Sequence, residues 1–318
     1  MTETNSPLPL FRVEDPGPFT LVQDLGRPGR RGSGVTPSGA MDRFALSAAN
    51  LLVGNPENSA ALECALAGPS LVALSNCLVA VTGADFGPTL NGEEVPSWTG
   101  IFMVEGDRLA FSGRRGGARV YIAVAGGLAA ERWLGSAATY LLVGRGGVQG
   151  RPLKAGDELC VAAAAPRPAI AGRVLPEPSR PPYVAEPEVA AVQGPHIRRL
   201  KAASRRAFFH ERWTVGRDAD RMGYRLEGPE LEISGPELVS FGLAMGCIQV
   251  PAAGQPIVLM ADHQTAGGYP VVAGVARADL PLVAQLLPGD HLRFREISVE
   301  AAQSAWRRLR ASLDALRT

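Results

Sequence analysis

Three stretches share one pattern, a Gly-Asp pair just ahead of an alternating apolar run: MVEGDRLAF at Met103–Phe111, LKAGDELCV at Leu153–Val161 and LLPGDHLRFR at Leu286–Arg295. Glycine supplies the positive φ and aspartate caps the turn, so each predicts a β-hairpin. Because the pattern recurs early and late, it calls for β structure in both halves of the chain and predicts a mainly β protein of two related, β-barrel-like domains. Further strands are predicted at Leu78–Thr82, Arg119–Ala125, Gln249–Val250 leading to Ile257–Ala261, and Val271–Val275, each rich in Val, Ile, Leu or Ala and bounded by Gly, Pro or Asn.

A chain of 318 residues exceeds the usual size of one domain. Between Ala162 and Glu188 a run dense in proline and alanine lacks apolar periodicity. The expected division is therefore an N-terminal β domain at 1–162, a linker at 163–188 and a C-terminal β-barrel domain at 189–318. Helices are few. One is predicted from near Ser38, with Met41, Phe44, Ala48, Leu51 and Leu52 on one face and Gly54, Asn55 and Pro56 as its stop. A short one should follow Asp279, whose carboxylate would cap it, with Pro281 in its first turn. A C-terminal helix places Ala302, Trp306, Leu309, Leu313 and Leu316 on one stripe and Arg307, Arg308 and Arg310 toward solvent.

Composition excludes several functional classes. With 32 basic and 31 acidic residues the net charge is +1, which points to neither nucleic acid nor an acidic membrane as partner. Met1–Leu10 has no signal-peptide pattern and no apolar run approaches the roughly 20 residues of a membrane helix, so a cytoplasmic location is expected. The four cysteines form no CxxC pair and the four histidines have no metal-ligand spacing, so neither a metal site nor a disulfide framework is expected. Phosphate-loop, dinucleotide-binding, serine-hydrolase and zinc-protease motifs are all missing.

Three polar, glycine-bearing segments remain as candidate sites. Val22–Phe44 offers Asp24 and Arg27 before its glycines, then Ser38, Asp42 and Arg43 around a helix start suited to an anion; the same segment also reads as an ordered loop with a surface Asp42–Arg43 pair. Arg217–Gly228 places Asp220 and Arg221 at a strand entry. Ile248–Pro270 ends an apolar strand in Asp262, His263, Gln264 and Thr265 before Gly267, Gly268 and Tyr269, presenting polar groups at the mouth of a rigid element. A decorated turn is the plainer reading of that segment.

These segments also carry a family resemblance. VQDLGRPG, PSGAMDRFAL, ANLLVGNPENSAALE, VTGADF, YIAVAGG, GSAATYLLVGRGG, DRMGYRLEGP, IQVPAAGQPIVLMADHQTAGGYP and ADLPLVAQLLPGDHLRF, spread from Phe11 to Ile297, resemble the family called allophanate hydrolase subunit 2, KipI antagonist or 5-oxoprolinase C subunit. That family is related to the carboxyltransferase region of urea amidolyase. The chain departs from the pattern at His263, where arginine is more usual, and fits it loosely over His196–His210. The resemblance implies cyclophilin-like domains and a heteromeric complex with a KipI-like B subunit plus the A subunit of 5-oxoprolinase, which opens 5-oxoproline to glutamate using ATP, with Mg shared with the partner. Catalytic roles would fall to Asp262 and Arg221. Substrate binding would fall to Asp24, Arg27, Ser38, Asp42, Arg43, Gln249, Gln264, Thr265 and Tyr269, the last group gripping a small-molecule amide. Two other activities are compatible with the resemblance: a biotin-dependent carboxyltransferase for a urea-like substrate, or a regulator that binds a KipI-like kinase inhibitor. Neither Lys154 in PLKAG nor Lys201 in RLKAA sits in the Met-Lys turn of a biotin carrier, so biotin is not expected to be attached covalently to this chain.

Overall fold

The computed structural model describes residues 8–162 and 168–317. Residues 163–167 of the expected linker, and most of the stretch read for a signal peptide, lie outside the described residues. The chain is mainly β and divides into two compact units, one formed by 1–27, 42–180 and 312–318, the other by 28–41 and 181–311.

The first unit holds a seven-stranded and a five-stranded sheet. In the seven-stranded sheet Leu8–Asp15 is an interior strand, paired antiparallel with Glu158–Val161 on one side and with the central strand Ser70–Ala73 on the other. The five-stranded sheet is centred on Gly116–Val124, flanked by Ala61–Ala65 and Cys77–Asp85. Phe11, Val13 and Leu71 from one sheet join Val79, Val81 and Ile122 from the other in a common core. The strand CLVAVTGAD is buried from Cys77 to Ala84 because helix α1 (Arg43–Leu52) covers its second face. This explains why it reads as a continuous apolar run rather than an alternation. Thr82 Oγ1 fastens the two by donating to the Ala45 carbonyl at 2.7 Å.

The second unit contains a closed seven-stranded barrel in the order Glu188–Gln193, Val271–Val275, Cys247–Gln249, Ile257–Leu259, Gly223–Glu227, Trp213–Val215 and His291–Glu296. The ring is completed by parallel pairing of His291–Glu296 with Glu188–Gln193. Trp213, Tyr224, Phe208 and Phe294 fill its core.

All three Gly-Asp turns form, but none closes the expected hairpin: the strand after each pairs with distant strands, Arg108–Phe111 with Ser70–Ala73, Glu158–Val161 with Leu8–Asp15, and His291–Glu296 with Glu188–Gln193 and Trp213–Val215. Gly106, Gly156 and Gly289 have φ of +90°, +86° and +91°. The aspartate carboxylate after each accepts the amide three residues back, from Val104, Lys154 and Leu287, at 2.8 Å in every case. The predicted first helix is shorter at its start. Ser38 (φ +54°) and Gly39 (φ +92°) cannot be helical, so Asp42 is the cap and its Oδ1 accepts from Ala45 N at 2.9 Å. Met41, expected on that helix's apolar face, belongs instead to the barrel core. Helix α2 (Ala202–His210) is absent from the sequence-based expectations, because its sequence has only a weak apolar stripe of Phe208 and Phe209. Helix α3 (Leu280–Ala284) carries Pro281 in its first turn as expected, but Asp279 makes no side-chain cap. Its carboxylate instead accepts Ala190 N at 2.7 Å, and burial pushes the carboxyl up from its ordinary value. Helix α4 spans Val299–Asp314, with Leu313 buried and Trp306 under the Arg277 guanidinium at 4.0 Å; Leu316, expected on the same stripe, is buried but lies past the helix end. Part of the proline-rich stretch is tied down: Arg173 O accepts from Gly100 N, and Leu175 N donates to Trp98 O. No helix among the described residues is long and apolar enough to cross a membrane.

Candidate functional site

In the second unit, the structure brings Ser38, Arg221 and Asp262 together from segments far apart in sequence. Asp262 follows the strand Ile257–Leu259 and Arg221 precedes Gly223–Glu227; those strands pair, and Asp262 N donates to Arg221 O at 2.7 Å. The side chains then meet. Arg221 Nε donates to Asp262 Oδ2 at 2.8 Å, and its Nη2 reaches Asp262 Oδ1 at 3.3 Å and the Gly39 carbonyl at 2.6 Å. Ser38 Oγ donates to Asp262 Oδ1 at 2.6 Å, with Ser38 held in the left-handed region. Arg221 and Asp262 are each 9% exposed as side chains, so this is a forked charge pair withdrawn from water. Both carboxylate oxygens are engaged. The arrangement fixes the 38–39 loop to the barrel mouth and holds a carboxylate in one orientation.

His263, next in sequence, is buried, with Nδ1 2.6 Å from the Gln264 carbonyl. A carbonyl only accepts, so the proton is on Nδ1 and Nε2 is left as an acceptor. That Nε2 is buried and has no partner among the described residues. Burial, and secondarily the Arg31 cation, hold the imidazole below its ordinary pKa and keep it neutral.

The other candidates of this segment gather at a second point. Gln249 is buried, donates from Nε2 to the Tyr269 carbonyl at 3.3 Å, and accepts from Gln264 Nε2 at 3.4 Å. Thr265 contributes its carbonyl, which accepts Leu243 N at 2.9 Å. Tyr269 is half exposed and, with Gly268, Val250, Arg199, Ser234 and Glu237, lines a cavity of about 360 Å³. A Cβ on Gly268 would come within 2.8 Å of the Leu238 carbonyl, so the close approach of that backbone requires glycine. The cavity joins a guanidinium, a carboxylate and a phenol, with the paired amides behind Tyr269. It is chemically suited to a small polar molecule carrying both donors and acceptors.

The remaining candidates lie in the first unit and are engaged there. Asp24 accepts Gly26 N, Ser136 Oγ and Ala137 N at 2.6–2.7 Å, which shapes the turn at the end of Phe19–Gln23. Arg27 is buried, donates to the Ala138 carbonyl and lies 4.9 Å from the Trp133 ring centroid. Asp42 caps α1, and Arg43 donates to the Leu25 carbonyl. Sequence reasoning missed the buried relay beside Asp42, in which Tyr121 Oη donates to Glu63 Oε2 at 2.7 Å and accepts Asp42 N at 2.8 Å. Burial first, and then the charges of Glu63 and Asp42, raise the Tyr121 phenol well above its ordinary range. The available signal was Glu63 itself, a lone acid inside the apolar strand ALECA. Among the described residues no group of three or more His, Cys, Asp or Glu is disposed to hold a metal ion.

Comparison with known proteins places these features in context. Residues 33–296 match the family described as carboxyltransferase domain, subdomain A and B. The chain is 38% identical to the 5-oxoprolinase C subunit of Escherichia coli over 93% of its own length and 94% of that protein. It is 33% identical to urea amidolyase of Lachancea kluyveri over 96% of its length, but spans only 18% of that protein. The crystal structure of Kluyveromyces lactis urea carboxylase superposes with a TM-score of 0.91 at 30% identity, covering 99% of this chain and 30% of the other.

Proposed function

Because the chain belongs to the family of carboxyltransferase domains, subdomains A and B, we propose that it acts as the C subunit of an ATP-dependent 5-oxoprolinase, with a KipI-like B subunit plus an A subunit, in the cytoplasm. One observation carries this reading: its likeness to the Escherichia coli protein extends over 94% of that protein, whereas it spans only a fraction of the urea enzymes. The chemistry is coherent. A five-membered lactam is a weak electrophile, and phosphorylation of its carbonyl oxygen by ATP activates the ring carbon toward water. One water adds and the C–N bond breaks, leaving an acyl phosphate and the free amine; a second water then displaces phosphate, giving glutamate. Such transfer depends on positioning and charge neutralisation.

In this proposal the cavity beside Tyr269 receives the lactam, with the Gln249–Gln264 amides holding Tyr269 and the surrounding turn in place. The Arg221–Asp262–Ser38 cluster fixes the adjoining loop. In this proposal magnesium enters with the nucleotide. The likeness to urea carboxylase favours a second reading, carboxyl transfer to a urea-like substrate. Biotin would then arrive on another protein, because Lys154 is part of a Gly-Asp turn and Lys201 pairs with Glu232.

The test is phosphate release from ATP by this chain mixed with its B and A companions. Stimulation by 5-oxoproline that vanishes when this chain is omitted is the expected result. A demonstrable complex without stimulation would sink the oxoprolinase reading and direct the work to urea-like substrates with a biotin carrier.

A further inference from the structure

A groove of about 870 Å³ in the second unit lies apart from the cavity beside Tyr269, and nothing above assigns it a ligand. It lies between α2 and the barrel strands Glu188–Gln193 and His291–Glu296. Its floor is apolar, formed by the buried side chains of Leu200, Phe209 and Phe294. Its rim is basic. The segment IRRLKAASRRAFFH, 197–210, carries five basic residues and no acidic one in a chain whose net charge is only +1. Arg198, Arg205 and Arg206 line the groove and are exposed, and their guanidiniums have no ion pair or hydrogen bond among the described residues.

Two acids also line the groove: Glu188 pairs with Arg295 at 2.5 Å, whereas Glu296 accepts from the neutral Gln193 amide, which does not offset its charge, so the arginines of the lining, Arg198, Arg205, Arg206 and Arg295, outnumber the carboxylates by four to two. A second feature points the same way. The first turn of α2 borders the groove at Ala202, has no side-chain cap and holds no acidic residue, so its backbone amides add positive potential there.

We infer that this groove is a binding site for a compact polyphosphate anion, either a nucleoside triphosphate or a free inorganic polyphosphate. Three unpaired guanidiniums around one cavity match several negative charges delivered in a single small group, and the fork geometry of arginine suits phosphate oxygens. Carboxylates of a peptide bring one charge each, spread along a chain. The volume falls within the range of small-molecule sites, roughly 300–1,000 Å³. The apolar floor offers a surface for a base, which distinguishes the two sources of the phosphate.

The full chain is titrated calorimetrically with inorganic tripolyphosphate, ATP and AMP, and with an oligoglutamate peptide. Tripolyphosphate should bind and weaken as salt is raised. Each of Arg198→Glu, Arg205→Glu and Arg206→Glu should reduce that affinity about tenfold or more without changing the melting temperature, since all three side chains are exposed. ATP binding more tightly than tripolyphosphate identifies a nucleotide site, whereas equal affinity identifies a polyphosphate site. No binding of tripolyphosphate at millimolar concentration, binding indifferent to all three variants, or tighter binding of oligoglutamate would each overturn the inference. Because no turnover is measured, its failure leaves the oxoprolinase reading untouched, and failure of that reading leaves this one standing.

Discussion

Replacing Asp262 with alanine should destabilise the second unit strongly. The substitution removes the carboxylate that meets Arg221 Nε at 2.8 Å and Ser38 Oγ at 2.6 Å, and leaves a guanidinium only 9% exposed without its countercharge. Breaking a buried pair by deleting one partner costs about 3–5 kcal/mol. With a urea m-value of about 2 kcal/mol/M, the unfolding midpoint should fall by about 2 M. Removing both charges, as in Arg221→Met with Asp262→Leu, leaves no orphaned ion and should recover most of the loss. Urea unfolding of the wild type, the two single variants and the double variant measures this directly. A midpoint shift below about 0.5 M for Asp262→Ala, or a double variant as unstable as the sum of the singles, would refute the reasoning. The consequence for function is practical: lost activity in Asp262→Ala does not identify a proton carrier unless the variant is shown to be folded.

Three other outcomes are expected. Burial raises both Cys64 and Cys77 from the ordinary 9.0 to about 12, so a disulfide reagent near pH 8 should modify Cys160 and Cys247 in the native protein and the other two only after urea is added. Since these thiols keep their protons in the folded state while the unfolded chain releases them from about pH 9, stability should fall as pH rises from 9 toward 12; a flat urea midpoint across that range would contradict it. Gly289→Ala meets open space and should lose only about 1–2 kcal/mol from its φ of +91°, whereas Gly150→Ala would bring a Cβ within 2.0 Å of the Gly144 carbonyl carbon and should unfold its unit at lower urea than Gly289→Ala does its own.

What could be read from the sequence was local. The Gly-Asp turns were legible because glycine's positive φ and an aspartate three residues beyond an amide define the turn without help from the rest of the chain. The strand at Cys77–Asp85 was legible as an apolar run, although which helix covers its second face was not. The start of α1 was misplaced because Ser38 and Asp42 are both good caps, and only the left-handed backbone at Ser38 and Gly39 decides between them. Asp279 shows the same limit, since its carboxylate is claimed by Ala190, 89 positions away. At the candidate site, the residue types in Ile248–Pro270 were informative but their grouping was not. Asp262 turns toward Ser38 and Arg221, while Gln249, Gln264 and Tyr269 form a separate point. Nor does spacing show that Asp24 and Arg27 are both engaged by the loop around Ser136–Ala138.

The parallel seam between Glu188–Gln193 and His291–Glu296 also sets an order of events during synthesis. The first strand of the ring emerges from the ribosome long before the last, and no hairpin formed in between can close the circle. Until Glu296 is out, Glu188–Gln193 presents an unpaired edge. The 28–41 segment, made earlier still, waits for Arg221 and Asp262 to supply its anchor. A stalled or truncated chain would therefore expose a strand edge and Met41 together, and these are the features a chaperone binds or an aggregate recruits.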